Sequence, residues 1–322
     1  MPHYRTVRML FRPAVEGLRF LPEGPYPTQH NGEVSWVAIQ HGPKSVFGSI
    51  NLLTFTEESL RGVQNRSFDL PGRPGFAFPC DDDLSFVVGL ERSLGLFTPQ
   101  TGSWEVFCEG IDSDVENTII NDGMIWEDNL IFGTKDLEFN NRKAGLYLYR
   151  GCDRSLIRLR NDQICSNGKA IRKLRDGVEL IDIDSPTRQV CAYDLDISAG
   201  RLGPRRIILD LTDDPAVPDG AILTPDGRGL IVSMFHPTDI GTGETRWYSL
   251  DDGQLVEIWQ TPGSPQNTCP NLVSCDGKIV LLITTAAENM TPDRLAACAN
   301  AGCIFVGETG FERVTPMPLW RC

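Results

Sequence analysis

Histidine is scarce: the 322 residues contain four, His3, His30, His41 and His236, and none stands in a His-x-His or His-Glu-x-x-His arrangement. A zinc site built from several imidazoles is thereby excluded. There is no G-x-S-x-G elbow, no G-x-G-x-x-G and no P-loop, which sets aside serine-hydrolase and nucleotide-binding readings. No apolar run approaches the ~20 residues a membrane helix needs. The first 13 residues lack the apolar stretch of a signal peptide, so a cytoplasmic protein is expected. Basic clusters are missing as well. With 43 acidic against 30 basic residues the net charge is −13, and such a surface repels phosphate backbones and anionic lipid heads. Neither nucleic acid nor a membrane is an expected partner. Helical patterning is nearly absent, with only residues 288–299 reading as a helix. None of the ten cysteines forms a C-x-x-C pair. Without a secretion signal they read as thiols rather than disulfides or zinc ligands.

Turn residues are abundant and evenly spread. Thirty-one Gly and 22 Pro run through the chain, and eight Asn-Gly or Asp-Gly pairs occur, at 31, 122, 167, 176, 219, 226, 252 and 276. Such pairs favour hairpins over helices. Strand-like runs ending in an aromatic occur six times, with the aromatics at Phe55, Phe97, Tyr149, Tyr193, Tyr248 and Phe305. Their steps are 42, 52, 44, 55 and 57, a mean of 50. Repetition at that length means a propeller or a solenoid, and six such units account for nearly the whole chain. The expected fold is all-β: a six-bladed β-propeller of four-stranded antiparallel blades, one domain over residues 1–322. The alternating run over residues 4–10 is positioned to supply the last blade's outer strand and so fasten the termini together.

Four oxygen-bearing residues share the period. Glu23 in Glu23-Gly24-Pro25, Asn121 in Asn121-Asp122-Gly123, Asn167 in Ser166-Asn167-Gly168 and Asp219 in Pro218-Asp219-Gly220 are separated by 98, 46 and 52 residues. Those gaps are two, one and one steps of about 49. In a closed ring the same position of each unit faces one axis, so these side chains converge where a hard cation binds. Taken singly, an Asn-Gly or Asp-Gly pair is more often a hairpin turn. Asp176, Asp226, Asp252 and Asp276 are read that way. Arg150 reads as a solvated strand end and His236 as a surface-loop histidine.

The ordered set of motifs resembles the senescence marker protein (regucalcin) and gluconolactonase family. Besides the four already given it comprises Val34-Ser35-Trp36-Val37, Phe132-Gly133-Thr134, Gly145-Leu146-Tyr147, Cys165-Ser166-Asn167-Gly168, Ile183-Asp184-Ser185, Cys269-Pro270-Asn271, Ile283-Thr284-Thr285-Ala286 and Ala301-Gly302-Cys303-Ile304-Phe305. The resemblance covers roughly residues 20–306. It implies a six-bladed propeller and one divalent cation held by Glu23, Asn167 and Asp219, with Ca²⁺ first and Mg²⁺, Mn²⁺ or Zn²⁺ as alternatives. It implies substrate contacts at Asn121 and Asp122, and hydrolysis of a small-molecule lactone of the sugar-lactone (gluconolactonase) type with Asp219 as general base. Departures bear on the substrate. Ile119 stands where family members often carry Arg, Ala38-Ile39 replaces Asp-Ile, and Lys135 replaces Met, with Glu138 and Asn141 in the loop beyond. These departures point away from gluconolactone itself, toward a less hydroxylated lactone or another ester-like electrophile. A calcium-dependent phosphotriesterase and a non-catalytic cation- or ligand-binding propeller are the alternatives.

Overall fold

Short apolar runs punctuated by turn residues fold as strands. In the computed structural model, which describes residues 1–55, 63–238, 240–275 and 277–322, the regular secondary structure is almost entirely antiparallel β-sheet. Strands β1 (His3–Thr6) and β2 (Arg8–Phe11) come first. One sheet follows, β3 (Pro22–Pro27), β4 (Glu33–Ala38), β5 (Ser49–Thr54) and β6 (Gln64–Asp69). The next contains β7 (Pro74–Pro79), β8 (Phe86–Leu90), β9 (Ser93–Thr98) and β10 (Ser103–Cys108). A third holds β11 (Thr118–Trp126), β12 (Asn129–Asp136), β13 (Ala144–Arg150) and β14 (Ser155–Gln163). The fourth has β15 (Ser166–Leu174), β16 (Gly177–Asp184) and β17 (Gln189–Asp196), with β18 (Arg201–Leu202) and β19 (Arg206–Asp210) sharing its outer edge.

The remaining sheet has nine strands, two groups plus β1 and β2. One is β20 (Val217–Leu223), β21 (Gly229–Phe235), β22 (Thr242–Ser249) and β23 (Leu255–Pro262). The other is β24 (Gln266–Cys275), β25 (Lys278–Ala286) and β26 (Ile304–Glu308). A single residue pair, Phe235 with Gln266, joins them. The only α-helix among the described residues, α1 (Pro292–Ala297), is shorter than the expected 288–299 because Pro292 starts it and Thr291 caps it.

The seam is closed by the N-terminus, but the run over residues 4–10 splits. Strand β2 pairs antiparallel with β26, while β1 pairs parallel with β23 of the preceding group. Val7, buried between them, is the crossing point. The first strands of the groups touch in a closed cycle: β3 with β7, β7 with β11, β11 with β15, β15 with β20, β20 with β24, and β24 with β3. Side chains seal the last step, since Thr268 Oγ1 donates to the Pro22 carbonyl at 2.6 Å and Asn271 Nδ2 to the Pro25 carbonyl at 2.7 Å.

The core lies between neighbouring sheets. Trp36 and Leu53 of the first group pack with Leu282 and Ile304 of the last. Phe76 of β7 meets Phe132 of β12, which stacks on Tyr147 at 5.4 Å. All six periodic aromatics are buried, in or immediately after the third strand of their group.

Candidate functional site

Every first strand is broken at the same place. Register shifts fall between Glu23 and Tyr26 in β3, Pro74 and Phe76 in β7, Ile120 and Asp122 in β11, Asn167 and Ala170 in β15, Pro218 and Ala221 in β20, and Asn267 and Pro270 in β24. A β-bulge re-aims side chains out of the alternating pattern. Six bulges around one cycle therefore account for the period near 49. The 98-residue gap is filled by Pro74-Gly75-Phe76, which repeats the backbone but offers no ligand atom. The pairs at 122, 167 and 219 accordingly lie within strands and are not hairpin turns, whereas Asp176, Asp226 and Asp252 do sit in turns. Asp276 lies outside the described residues.

At the β15 bulge Gly168 has φ +41°, and a Cβ there would stand 2.6 Å from the Asp219 carbonyl oxygen. Only glycine permits that approach of β15 to β20.

The amides interlock. Asn121 Nδ2 donates to Asn167 Oδ1 at 2.8 Å and to the Ser166 carbonyl at 3.0 Å. Asn167 Nδ2 donates to Ser185 Oγ at 2.8 Å, and that hydroxyl donates in turn to the Pro218 carbonyl at 2.7 Å. Both amides are 6 % exposed. Asp122 Oδ1 accepts from the Gly123 N–H at 2.7 Å, and its other oxygen lies 3.7 Å from the buried Lys169 ammonium.

Asp219 is 8 % exposed and its Oδ1 is buried without a hydrogen-bond partner. Leaving such an acceptor unmatched costs its full desolvation.

The electrostatics single out the same residues. Burial, then repulsion from Asp219 and Asp122, pushes the Glu23 carboxyl well above its ordinary range. Burial, then Asp122, does the same to Asp219. Lys135 opposes the rise at both. Glu288, itself raised by burial, adds to the repulsion. Asp182 is pushed up to about 6 by burial, against the pull of Lys169 at 3.8 Å.

Below the cluster lies a cavity of about 990 Å³ whose wall includes Glu23, Asp122 and Lys169. Tyr26, Phe76, Phe78, Met124, Ile222 and Leu272 make much of it apolar. Asn121, Asn167 and Asp219 do not line it, so the cavity meets the cluster only at its rim.

The donor set is two carboxylates and an amide oxygen, one carboxylate oxygen being unpartnered, with no nitrogen or thiolate required. Such a set fits a hard divalent cation. Cys165 and Cys269 lie nearby, but burial drives both thiols far toward the protonated form.

Two expectations need correction. His236 is 5 % exposed, so it is a buried residue and not a surface-loop one. Burial and Arg246 lower its pKa, and its charged neighbours are Arg246, Glu244, Asp214 and Arg294, none belonging to the cluster. Arg150 is half-buried and not simply solvated: it pairs with Asp153 and donates to the Ile197 carbonyl at 3.2 Å.

Sequence reasoning missed Lys169, Ser185 and Glu288 as members of the neighbourhood. Lys169 directly follows Asn167-Gly168 and Ser185 ends the Ile183-Asp184-Ser185 motif. Glu288 carries no signal beyond its position after β25. Lys135 was visible only as a departure. It is 4 % exposed and pairs across the sheet with the equally buried Ile119.

Comparison with known proteins agrees with this architecture. The family model described as "SMP-30/Gluconolactonase/LRE-like region" matches residues 21–287. A Bacillus subtilis (strain 168) protein with the provisional name sugar lactone lactonase YvrE is 25% identical over 305 residues, 92% of this chain and 94% of that protein. The L-arabinolactonase of Azospirillum brasilense is 27% identical over 236 residues, 73% of each chain. Among solved structures, the calcium-binding protein regucalcin from Agrobacterium tumefaciens str. C58 superposes with a TM-score of 0.79 over 100% of both chains at 20% identity, which establishes a common fold.

Proposed function

The chain belongs to the SMP-30/gluconolactonase/LRE-like family, and on that premise we propose that it is a divalent-cation-dependent lactonase built on a single six-bladed propeller spanning residues 1–322. The blade count is supported by the closed cycle of six first strands and by the six buried aromatics at one position of each group. The observation that carries the chemical reading is the buried, unpartnered Oδ1 of Asp219 beside a second carboxylate of raised pKa, Glu23.

In this reading Glu23, Asn167 and Asp219 hold one cation, with Ca²⁺ the first candidate. Bound there, it would polarise a carbonyl oxygen and lower the pKa of a water molecule. Asp219 accepts the proton of the attacking water and returns it to the ring oxygen as the ester C–O bond breaks. Asn121 and Asp122 orient the ring. Because Asn121 Nδ2 is committed to Asn167 and Ser166, its Oδ1 is the atom left to accept from a ring hydroxyl. The apolar cavity wall favours a lactone with an apolar substituent.

The test is hydrolysis of a lactone panel by cation-stripped protein, with Ca²⁺, Mg²⁺, Mn²⁺ or Zn²⁺ added back. Turnover should return with the preferred cation and fall roughly 10²–10⁴-fold in Asp219→Ala. A folded protein that binds a cation yet opens no lactone would overturn the reading in favour of a binding protein. Turnover of paraoxon-like esters alone would make it a phosphotriesterase.

A further inference from the structure

After β26 the C-terminal segment crosses to the second sheet and docks there. Trp320 forms a one-residue parallel bridge with Cys80 at the end of β7. Its N–H donates to the Pro79 carbonyl at 3.0 Å, and its carbonyl accepts from the Asp81 N–H at 2.8 Å. The indole is buried, nearly parallel to the Phe107 ring at 6.2 Å and packed against Tyr149. On the way, residues 314–318 line one side of the 990 Å³ cavity, and Tyr26 Oη donates to the Pro318 carbonyl.

This docking delivers the last residue to a second thiol. The sulfurs of Cys80 and Cys322 and a carboxylate oxygen of Asp82 all lie within 4.8 Å of one another. Among the described residues no other group of three His, Cys, Asp or Glu ligand atoms is so close. Asp82 is already engaged: Oδ1 accepts from the N–H groups of Leu84 and Ser85 at 2.9 Å, and Oδ2 from Ser85 Oγ. With the carboxylate holding its own turn, the two thiols remain as the reactive pair. Cys322 is exposed and Cys80 fully buried, so one sulfur is open to an oxidant and the other is held behind it.

We propose that Cys80 and Cys322 form an oxidation site, closing an intrachain disulfide that fastens the C-terminal segment as a strap across the cavity. The oxidant is a low-molecular-weight disulfide such as glutathione disulfide. The Cys322 thiolate attacks it, a Cys322–glutathione bond forms, and one glutathione thiol leaves. Cys80 then attacks the Cys322 sulfur, its proton passing to the departing glutathione. Two cysteine thiols lose two electrons and two protons, and one glutathione disulfide becomes two thiols. Burial and the neighbouring Cys322 hold the Cys80 thiol protonated, so the second step is the slow one.

The experiment incubates full-length protein in graded glutathione disulfide/glutathione mixtures, counts thiols after denaturation and maps unreduced peptides. The thiol count should fall from ten to eight, the two lost being Cys80 and Cys322 in one linked peptide pair. Cys322→Ser, a change at an exposed position, should retain all nine remaining thiols and show no link. In the oxidised protein, amide exchange of residues 314–321 should slow at least tenfold relative to the reduced form and to Cys322→Ser. A persistent glutathione adduct on Cys322 with Cys80 free, or links between chains, would overturn the proposal. Stoichiometric zinc lost in both Cys322→Ser and Cys80→Ser would instead make this a metal site. A link without slowed exchange would refute the fastening role.

Discussion

Ser185 shows how one small side chain aligns the candidate site. Its hydroxyl accepts from Asn167 Nδ2 and donates to the carbonyl of Pro218, the residue before Asp219. It therefore ties two of the three proposed cation ligands to one point without touching the cation's place. Removing groups that support ligands typically costs 10–100-fold in metal affinity. Ser185→Ala should weaken cation binding by about that factor in a calorimetric titration while leaving the fold intact. Unchanged affinity would remove Ser185 from any supporting role. The motif containing Ser185 is legible in the sequence, but its role is not, because the partner strand β20 begins more than thirty residues later.

Bulged first strands are where element-scale reading met its limit. Asn167-Gly168 and Asp226-Gly227 look alike as dipeptides, and both glycines have positive φ. The first belongs to a bulge packed against a neighbouring strand and the second to an open hairpin turn, where an added Cβ would meet nothing within 4 Å. Local sequence reports the backbone conformation but not the neighbour. The difference is measurable. Gly168→Ala combines left-handed strain with a Cβ 2.6 Å from the Asp219 carbonyl, so denaturant unfolding should show a loss of roughly 1–3 kcal/mol. Gly227→Ala, strained but uncrowded, should lose less. Equal losses would mean that β15 can move away from β20 at no cost.

Around the candidate site the acids shift in one direction, whereas the fully buried Asp136 shifts the other way, held below its ordinary range against burial by the Asn141 N–H and the Lys143 ammonium. Glu23, Asp122, Asp182, Asp184, Asp219 and Glu288 are all raised above their ordinary range, with burial the largest cause at each. A folded chain that keeps protons an unfolded chain releases loses stability as pH rises through that interval. For Asp182 the interval runs from 3.8 to about 6, on the order of 3 kcal/mol. Cation-stripped protein should accordingly melt at lower temperature at pH 7 than at pH 5, with Asp182→Asn flattening part of the slope. A divalent cation competes with those protons for Glu23 and Asp219. Added Ca²⁺ should therefore raise the melting temperature more at pH 8 than at pH 5. An equal shift at both would show that binding displaces no protons from these carboxyls.

The sequence by itself determined the all-β class, the repeat near 50 residues, the family motifs and the four oxygen-bearing positions on that repeat. Those features are local, set by alternation, turn residues and spacing, so no partner strand is needed to recognise them. Tertiary structure decided what depends on distant segments meeting. It turned apparent hairpin pairs into bulges, split the N-terminal run between two groups, buried His236, set Lys135, Lys169 and Glu288 around the carboxylates, and carried Cys322 back to Cys80. The physical reason is the same throughout: burial and charge are properties of a neighbourhood, and in a closed ring the neighbours come from the next repeat or from the far end of the chain.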